Sequence, residues 1–197
     1  MNESTALHDA AANNRYRCVE ILLRSRRIAI DQVDSRFKTA LHRASENGHW
    51  RIVRLLLDFH GDVSLVDVDG FNSLEMAILN DHSLTVDEFL RDSTWNKSMR
   101  NAQRSTTNEF HFSTPLRKLI RSMPNKAEEV FNRSISEFYS FDKNREKSNF
   151  YNYEFLDDQI SVCKWKHGEF SRSTLTRLTK KILLFRSIRF SIEKWRR

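Results

Sequence analysis

A hexapeptide that returns at a nearly constant interval constrains this chain more than any other feature. Thr5-Ala6-Leu7-His8-Asp9-Ala10 comes back as Thr39-Ala40-Leu41-His42-Arg43-Ala44, and again, more worn, as Asn72-Ser73-Leu74-Glu75-Met76-Ala77. The intervals are 34 and 33 residues. Self-similarity at a fixed period of this size predicts stacked supersecondary units, each touching only its neighbours. Such a stack presents surfaces rather than a closed catalytic core.

With its Thr-x-Leu-His-x-Ala opening, the period resembles the ankyrin repeat. The middle unit follows that template residue by residue. Thr39 is placed to cap a helix, Leu41 and Ala44 share one face, and Asn47-Gly48-His49 ends the helix with a glycine suited to the left-handed backbone. Ile52, Val53, Leu55, Leu56 and Leu57 make a second helix apolar along one side. Gly61-Asp62-Val63 closes it, and Asp67-Val68-Asp69-Gly70 reads as the turn opening the next unit. In the first unit Val19, Ile21, Leu22 and Leu23 fill the corresponding positions. Phe37 and His60 stand where the pattern wants glycine. The structural repeat motif is therefore assigned to Thr5, Leu7, His8, Thr39, Leu41, His42, Gly48, His49, Gly70 and Leu74. His8 and His42 are assigned a structural role, bonding the Thr and loop backbone, because no Asp, Glu or Cys recurs around them at a metal-ligand spacing.

Composition agrees. Four glycines and two prolines in 197 residues argue against many tight turns. Two cysteines, Cys18 and Cys163, make no metal site alone and no secreted disulfide framework, so the reading is intracellular, with Cys18 a small buried residue. No apolar run reaches the 18 or so residues that cross a bilayer, and no signal peptide opens the chain. No nucleophile–base pair, phosphate-binding glycine loop or paired carboxylates recur, so no enzyme, metal or cofactor is expected.

Charge is uneven. Residues 172–197 hold nine basic side chains and one acid, a net +8 against +7 for the whole chain. Leu175, Leu178, Ile182 and Phe185 recur there at helical spacing, which predicts a basic amphipathic helix. Its candidate lipid or partner contacts are Arg177, Lys180, Lys181, Arg186, Arg189, Lys194, Arg196 and Arg197. An anionic membrane surface or a protein partner fits that pattern; a terminal helix with merely solvated charges fits it equally. Nucleic acid is not expected.

Between repeats and tail, residues 95–108 read as a polar linker. Residues 113–135 read as a degenerate fourth repeat broken at Met123-Pro124. Residues 137–148 read as a charged loop, and Phe150-Tyr151-Asn152-Tyr153-Glu154-Phe155-Leu156 as a short strand or an anchor. The expected fold is all-α: an ankyrin solenoid with a short mixed aromatic segment and the basic C-terminal helix. Its divisions are three repeats (1–92), linker and fourth repeat (93–135), a pre-membrane coupling segment (136–171) and the basic helix (172–197).

The order of these pieces is similar to the cytosolic region of the transient receptor potential ankyrin (TRPA) channels just ahead of their membrane domain. The likeness runs through Gly61-Asp62-Val63-Ser64-Leu65, Leu74-Glu75-Met76-Ala77-Ile78 and Phe89-Leu90-Arg91-Asp92-Ser93-Thr94-Trp95. It continues through Thr114-Pro115-Leu116-Arg117-Lys118-Leu119-Ile120-Arg121-Ser122-Met123-Pro124 and closes with Tyr151-Asn152-Tyr153-Glu154-Phe155-Leu156. It covers roughly residues 4–156. The resemblance implies a subunit of a homotetrameric, non-selective cation channel at the plasma membrane, with this region on the cytosolic side relaying stimuli to a pore. The position matching one of that family's reactive cysteines is Ser134, so electrophile sensing does not carry over. The expectation is a fragment of such a channel, itself lacking the pore. The alternative is a small cytoplasmic ankyrin adaptor binding a protein through its repeat turns.

Overall fold

The structure, a computed structural model, describes residues 3–25, 28–104 and 112–133, the strands Ile135–Tyr139 and Lys147–Tyr151, and Phe155. The chain divides into two compact units, Met1–Val162 and Cys163–Arg197. All described residues belong to the first, so the basic helix of residues 172–197 and its eight named cations lie outside them, as do Ser134 and Cys163.

Three helix pairs open the unit: α1 (Ala6–Ala12) with α2 (Tyr16–Arg24), α3 (Ala40–Glu46) with α4 (Trp50–Asp58), and α5 (Ser73–Leu79) with α6 (Ser83–Arg91). Each first helix is seven residues long, too short to hold itself together in water. Local capping starts it. Thr5, Thr39 and Asn72 each sit in extended backbone, and each closes a capping box with the residue three further on. Packing then does the rest. α1, α3 and α5 lie side by side, as do α2, α4 and α6 behind them.

The small positions Ala11, Ala40, Ala44 and Ala77 are buried and let the first helices approach closely, while Val19, Ile52, Val53, Leu56, Val86, Phe89 and Leu90 fill the layer between the helix rows. Each large apolar side chain buried this way contributes about 1.5–3 kcal/mol. Chain reversals between paired helices use the left-handed region at Asn14, Gly48 and Asp81, and α4 ends on a left-handed His60.

Residues 95–104, the described part of the stretch read above as a polar linker, are ordered; residues 105–108 lie outside the described residues. Asp92 Oδ1 accepts from the Thr94 amide at 2.7 Å just ahead of α7 (Trp95–Met99), whose Ser98 and Met99 are buried. Strand β1 (Gln103–Arg104) then pairs antiparallel with β2 (Phe112–Ser113). The order comes from polar bonds to the third repeat: Asn72 Nδ2 donates to the Ser98 carbonyl at 2.6 Å and Asn101 Nδ2 to the Gly70 carbonyl at 2.8 Å. Apolar periodicity carries no trace of such bonds.

Next come α8 (Pro115–Ser122), capped by Thr114 with Pro115 in its first turn, and α9 (Pro124–Arg133). α8 packs on α5, and α9 on α6. Residues 137–148, read above as a loop, fall partly in an antiparallel hairpin of β3 (Ile135–Tyr139) and β4 (Lys147–Tyr151). Ile135, Phe138, Tyr139, Phe150 and Tyr151 are strand-favouring types, and the charges that suggested a loop concentrate between the strands. Phe155 is buried, its ring 5.5 Å from that of Trp95 and tilted by 54°.

Candidate functional site

Between one helix pair and the next the chain projects a finger, and two fingers are built alike. Asp34 Oδ1 accepts the amides of Arg36 at 2.8 Å and Lys38 at 3.0 Å; Asp67 Oδ1 accepts those of Asp69 at 3.0 Å and Phe71 at 2.9 Å. The backbone closes each finger with Asp34 N–H to the Lys38 carbonyl and Asp67 N–H to the Phe71 carbonyl, both 2.9 Å. A carboxylate accepting two amides fixes a turn tightly. The last step takes the left-handed region, at Gly70 (φ 80°) in one finger and at Phe37 (φ 56°) in the other. A phenylalanine there is strained, and its ring is left 59% exposed.

The two fingers are joined. The Val68 amide donates to the Arg36 carbonyl at 3.1 Å, and Arg36 pairs with Asp69 at 3.4 Å. Val68 is 53% exposed and Val66 lies exposed beside it. Phe37, Val66 and Val68 are thus three exposed apolar side chains on, or directly beside, two fingers whose backbones are bonded to each other.

Charge is organised behind these side chains. Lys38 is buried with its Nζ 2.8 Å from Glu46, and Arg43 Nε donates to Asp34 Oδ2 at 3.0 Å. Burial works to raise the Asp34 carboxyl, but the amides of Lys38 and Arg36 and the Arg43 guanidinium outweigh it and hold it below the usual carboxylate range. Met76 stands where Arg43 stands one repeat earlier, so buried Asp67 Oδ2 has no hydrogen-bond partner.

The histidines form two rows. His8 Nδ1 accepts the Thr5 amide at 3.1 Å and His42 Nδ1 the Thr39 amide at 3.1 Å. An amide only donates, so Nδ1 is unprotonated and the proton sits on Nε2. His8 Nε2 then donates forward to the Lys38 carbonyl at 3.0 Å, and His42 Nε2 to the Phe71 carbonyl at 3.2 Å. His49 and His82 bond backward, His49 Nε2 to the Ala12 carbonyl and His82 Nε2 to the Glu46 carbonyl, both 3.0 Å. His82 was not singled out from sequence, although it lies 33 residues after His49. Leu7, Leu41 and Leu74 are buried beneath these bonds.

Cys18 is exposed, not buried. A cleft of about 210 Å³ lies beside the Asp67 finger and α7, lined by Ser64, Asn72, Lys97, Arg100 and Asn101. Among the described residues no group of three His, Cys, Asp or Glu side chains is placed to hold a metal ion, and no helix is long and apolar enough to cross a membrane.

Residues 7–99 match the family model of ankyrin repeats in three copies. No curated protein matches the chain. Among solved structures, the chain is similar to one of the predatory endopeptidase Bd0816 from Bdellovibrio bacteriovorus in complex with the immunity protein Bd3460. That match has 21% identity and a TM-score of 0.56, covering 66% of this chain and 64% of that one. It is also similar to the human ASB11 ankyrin repeat domain at 22% identity and a TM-score of 0.48, covering 64% of this chain and 52% of that one. The chain thus spans less than two thirds of the length of either. Likeness at this identity is one of fold, and the fold is an ankyrin solenoid: residues 7–99 are three ankyrin repeats.

Proposed function

We propose that the repeats serve as a protein-binding module that holds its partner on the finger tips. The carrying observation is the exposure of the apolar side chains of Phe37, Val66 and Val68 at two fingers locked by Asp34 and Asp67 and bonded to each other. Rigid, preformed apolar anchors lose little entropy on binding and are what a partner covers. A photo-crosslinking residue in place of Phe37 tests this, with one in place of Arg17 on α2 as the control. Capture from position 37 that the Val68→Glu variant abolishes is the expected result. Equal capture from both positions, indifferent to Val68→Glu, would sink the reading.

A second reading places the module in the membrane-proximal cytosolic part of a TRPA-type non-selective cation channel subunit. It is supported by the packing of the segments that carry that resemblance: α8 lies on α5, α9 on α6, and Phe155 on Trp95. In this reading residues 113–135 are a fourth repeat closing the stack, and residues 136–171 couple it toward the pore of a homotetramer. The basic residues of 172–197 then lie at the inner leaflet, where each Lys or Arg near anionic lipid is worth about 1 kcal/mol. Reading the full-length transcript decides it. Six downstream apolar segments of about 20 residues each are the expected result. A stop codon directly after Arg197 would leave the soluble adaptor.

A further inference from the structure

The repeats are in strict register, so one position can be followed through all three. Ala6 corresponds to Ala40 and Ser73, Cys18 to Ile52 and Thr85, Ile21 to Leu55 and Glu88, and Leu22 to Leu56 and Phe89. In the second and third repeats all of these are buried. In the first, Ala6 and Cys18 are exposed, Leu22 is half-buried, and Ile21 is 68% exposed where Leu55 is 8%. The difference is the helix pair in front: α1 and α2 lie on α3 and α4, which in turn lie on α5 and α6.

We infer that this leading face of α1 and α2 is a docking surface for one further helix pair of the ankyrin kind, distinct from the finger tips. The inter-repeat interface of the stack continues onto it in the same register. All four positions on it are uncharged, whereas a terminal repeat built to face water carries a polar outer side. A second copy of this chain fits less well. The face of α5 and α6 that would meet it head to tail is already covered by α8 and α9.

Cys18 is a reporter placed on the face itself. The experiment joins one consensus-sequence ankyrin repeat in frame ahead of Thr5 and follows alkylation of Cys18 by peptide mass, alongside urea unfolding. Docking is expected to slow alkylation of Cys18 by about tenfold or more, since the thiol then reacts only after local opening, and to give a single transition at higher urea. Ile21→Arg in the joined chain is expected to restore fast alkylation. In the chain alone the same variant leaves the midpoint unchanged, because that side chain already stands in water. Alkylation equally fast with and without the added repeat overturns the inference. A dimer of the chain alone, seen by light scattering and split by Ile21→Arg, also overturns it by making a second copy the occupant.

Discussion

Lys118 Nζ stands 2.5 Å from Glu75 Oε1, joining α8 to α5 across 43 residues of sequence. Glu75 occupies the position that His8 and His42 hold in the earlier repeats, and it is fully buried. A carboxylate has no proton to give to the next finger, so the bonding at this junction is reversed: Asn101 and Lys118 donate to it, and Lys118 also lies 4.4 Å from the centre of the Phe71 ring. The third repeat is thereby matched to a cation rather than to another Thr-x-Leu-His finger.

Breaking that pair strands a buried charge. Lys118→Met or Glu75→Met alone is expected to lower stability by about 3–5 kcal/mol. The double variant, which removes both charges, should recover at least about 1 kcal/mol of the summed loss. Urea unfolding of the four proteins measures this; strictly additive losses would show that the two side chains do not act as a unit.

Phe37 trades backbone comfort for an exposed ring. Phe37→Gly relieves the left-handed strain and gives back part of it as unfolded-chain entropy, so stability should stay level or rise by up to about 1 kcal/mol. Partner capture through the finger tips should fall in the same variant. Thermal unfolding together with crosslinking checks both halves, and a clear loss of stability would contradict the account of the strain.

Burial holds the His42 imidazole below its usual 6.5, although Asp67 and the Phe71 carbonyl act in the opposite direction. The fold takes the neutral ring, while the unfolded chain protonates at the ordinary value. This contribution is therefore complete above the ordinary pKa and declines as pH falls from there toward the lowered one. Stability measured from about pH 7 to 5 should fall, and His42→Gln should flatten the slope. An unchanged slope in that variant would assign the acid sensitivity elsewhere.

Phe155 carries the aromatic segment onto the unit through Trp95. Phe155→Ala is expected to cost about 3 kcal/mol or more and to open residues 135–155 to protease before the repeats unfold. Uniform cleavage of wild type and variant would show that the ring contact does not hold that segment.

The repeats were legible because their information is local. Thr5 and Thr39 cap, Gly48 and Gly70 turn, and Leu41 and Leu74 bury at fixed offsets, so one period shows all of them. The finger carboxylates Asp34 and Asp67, and His82, obey the same period and are visible once it is applied to polar residues as well as apolar ones. Exposure of Cys18 was not legible, because it depends on what lies in front of α2. Nor was the order of residues 95–104, which rests on bonds from Asn72 and Asn101 to backbone far along the chain. The β3–β4 hairpin was hidden because the charges of its connection dominate the composition of that stretch.

The two histidine rows point in opposite directions, His8 and His42 reaching ahead to a finger while His49 and His82 reach back to a helix end. The second repeat is therefore fastened to the first at two separated points, through His8 and His49, and to the third through His42 and His82. A joint pinned at two points cannot swivel about either one. Torque applied to the first repeat must either turn all three together or tear out two pins at once, so the ankyrin stretch acts as a lever arm rather than as a string of beads.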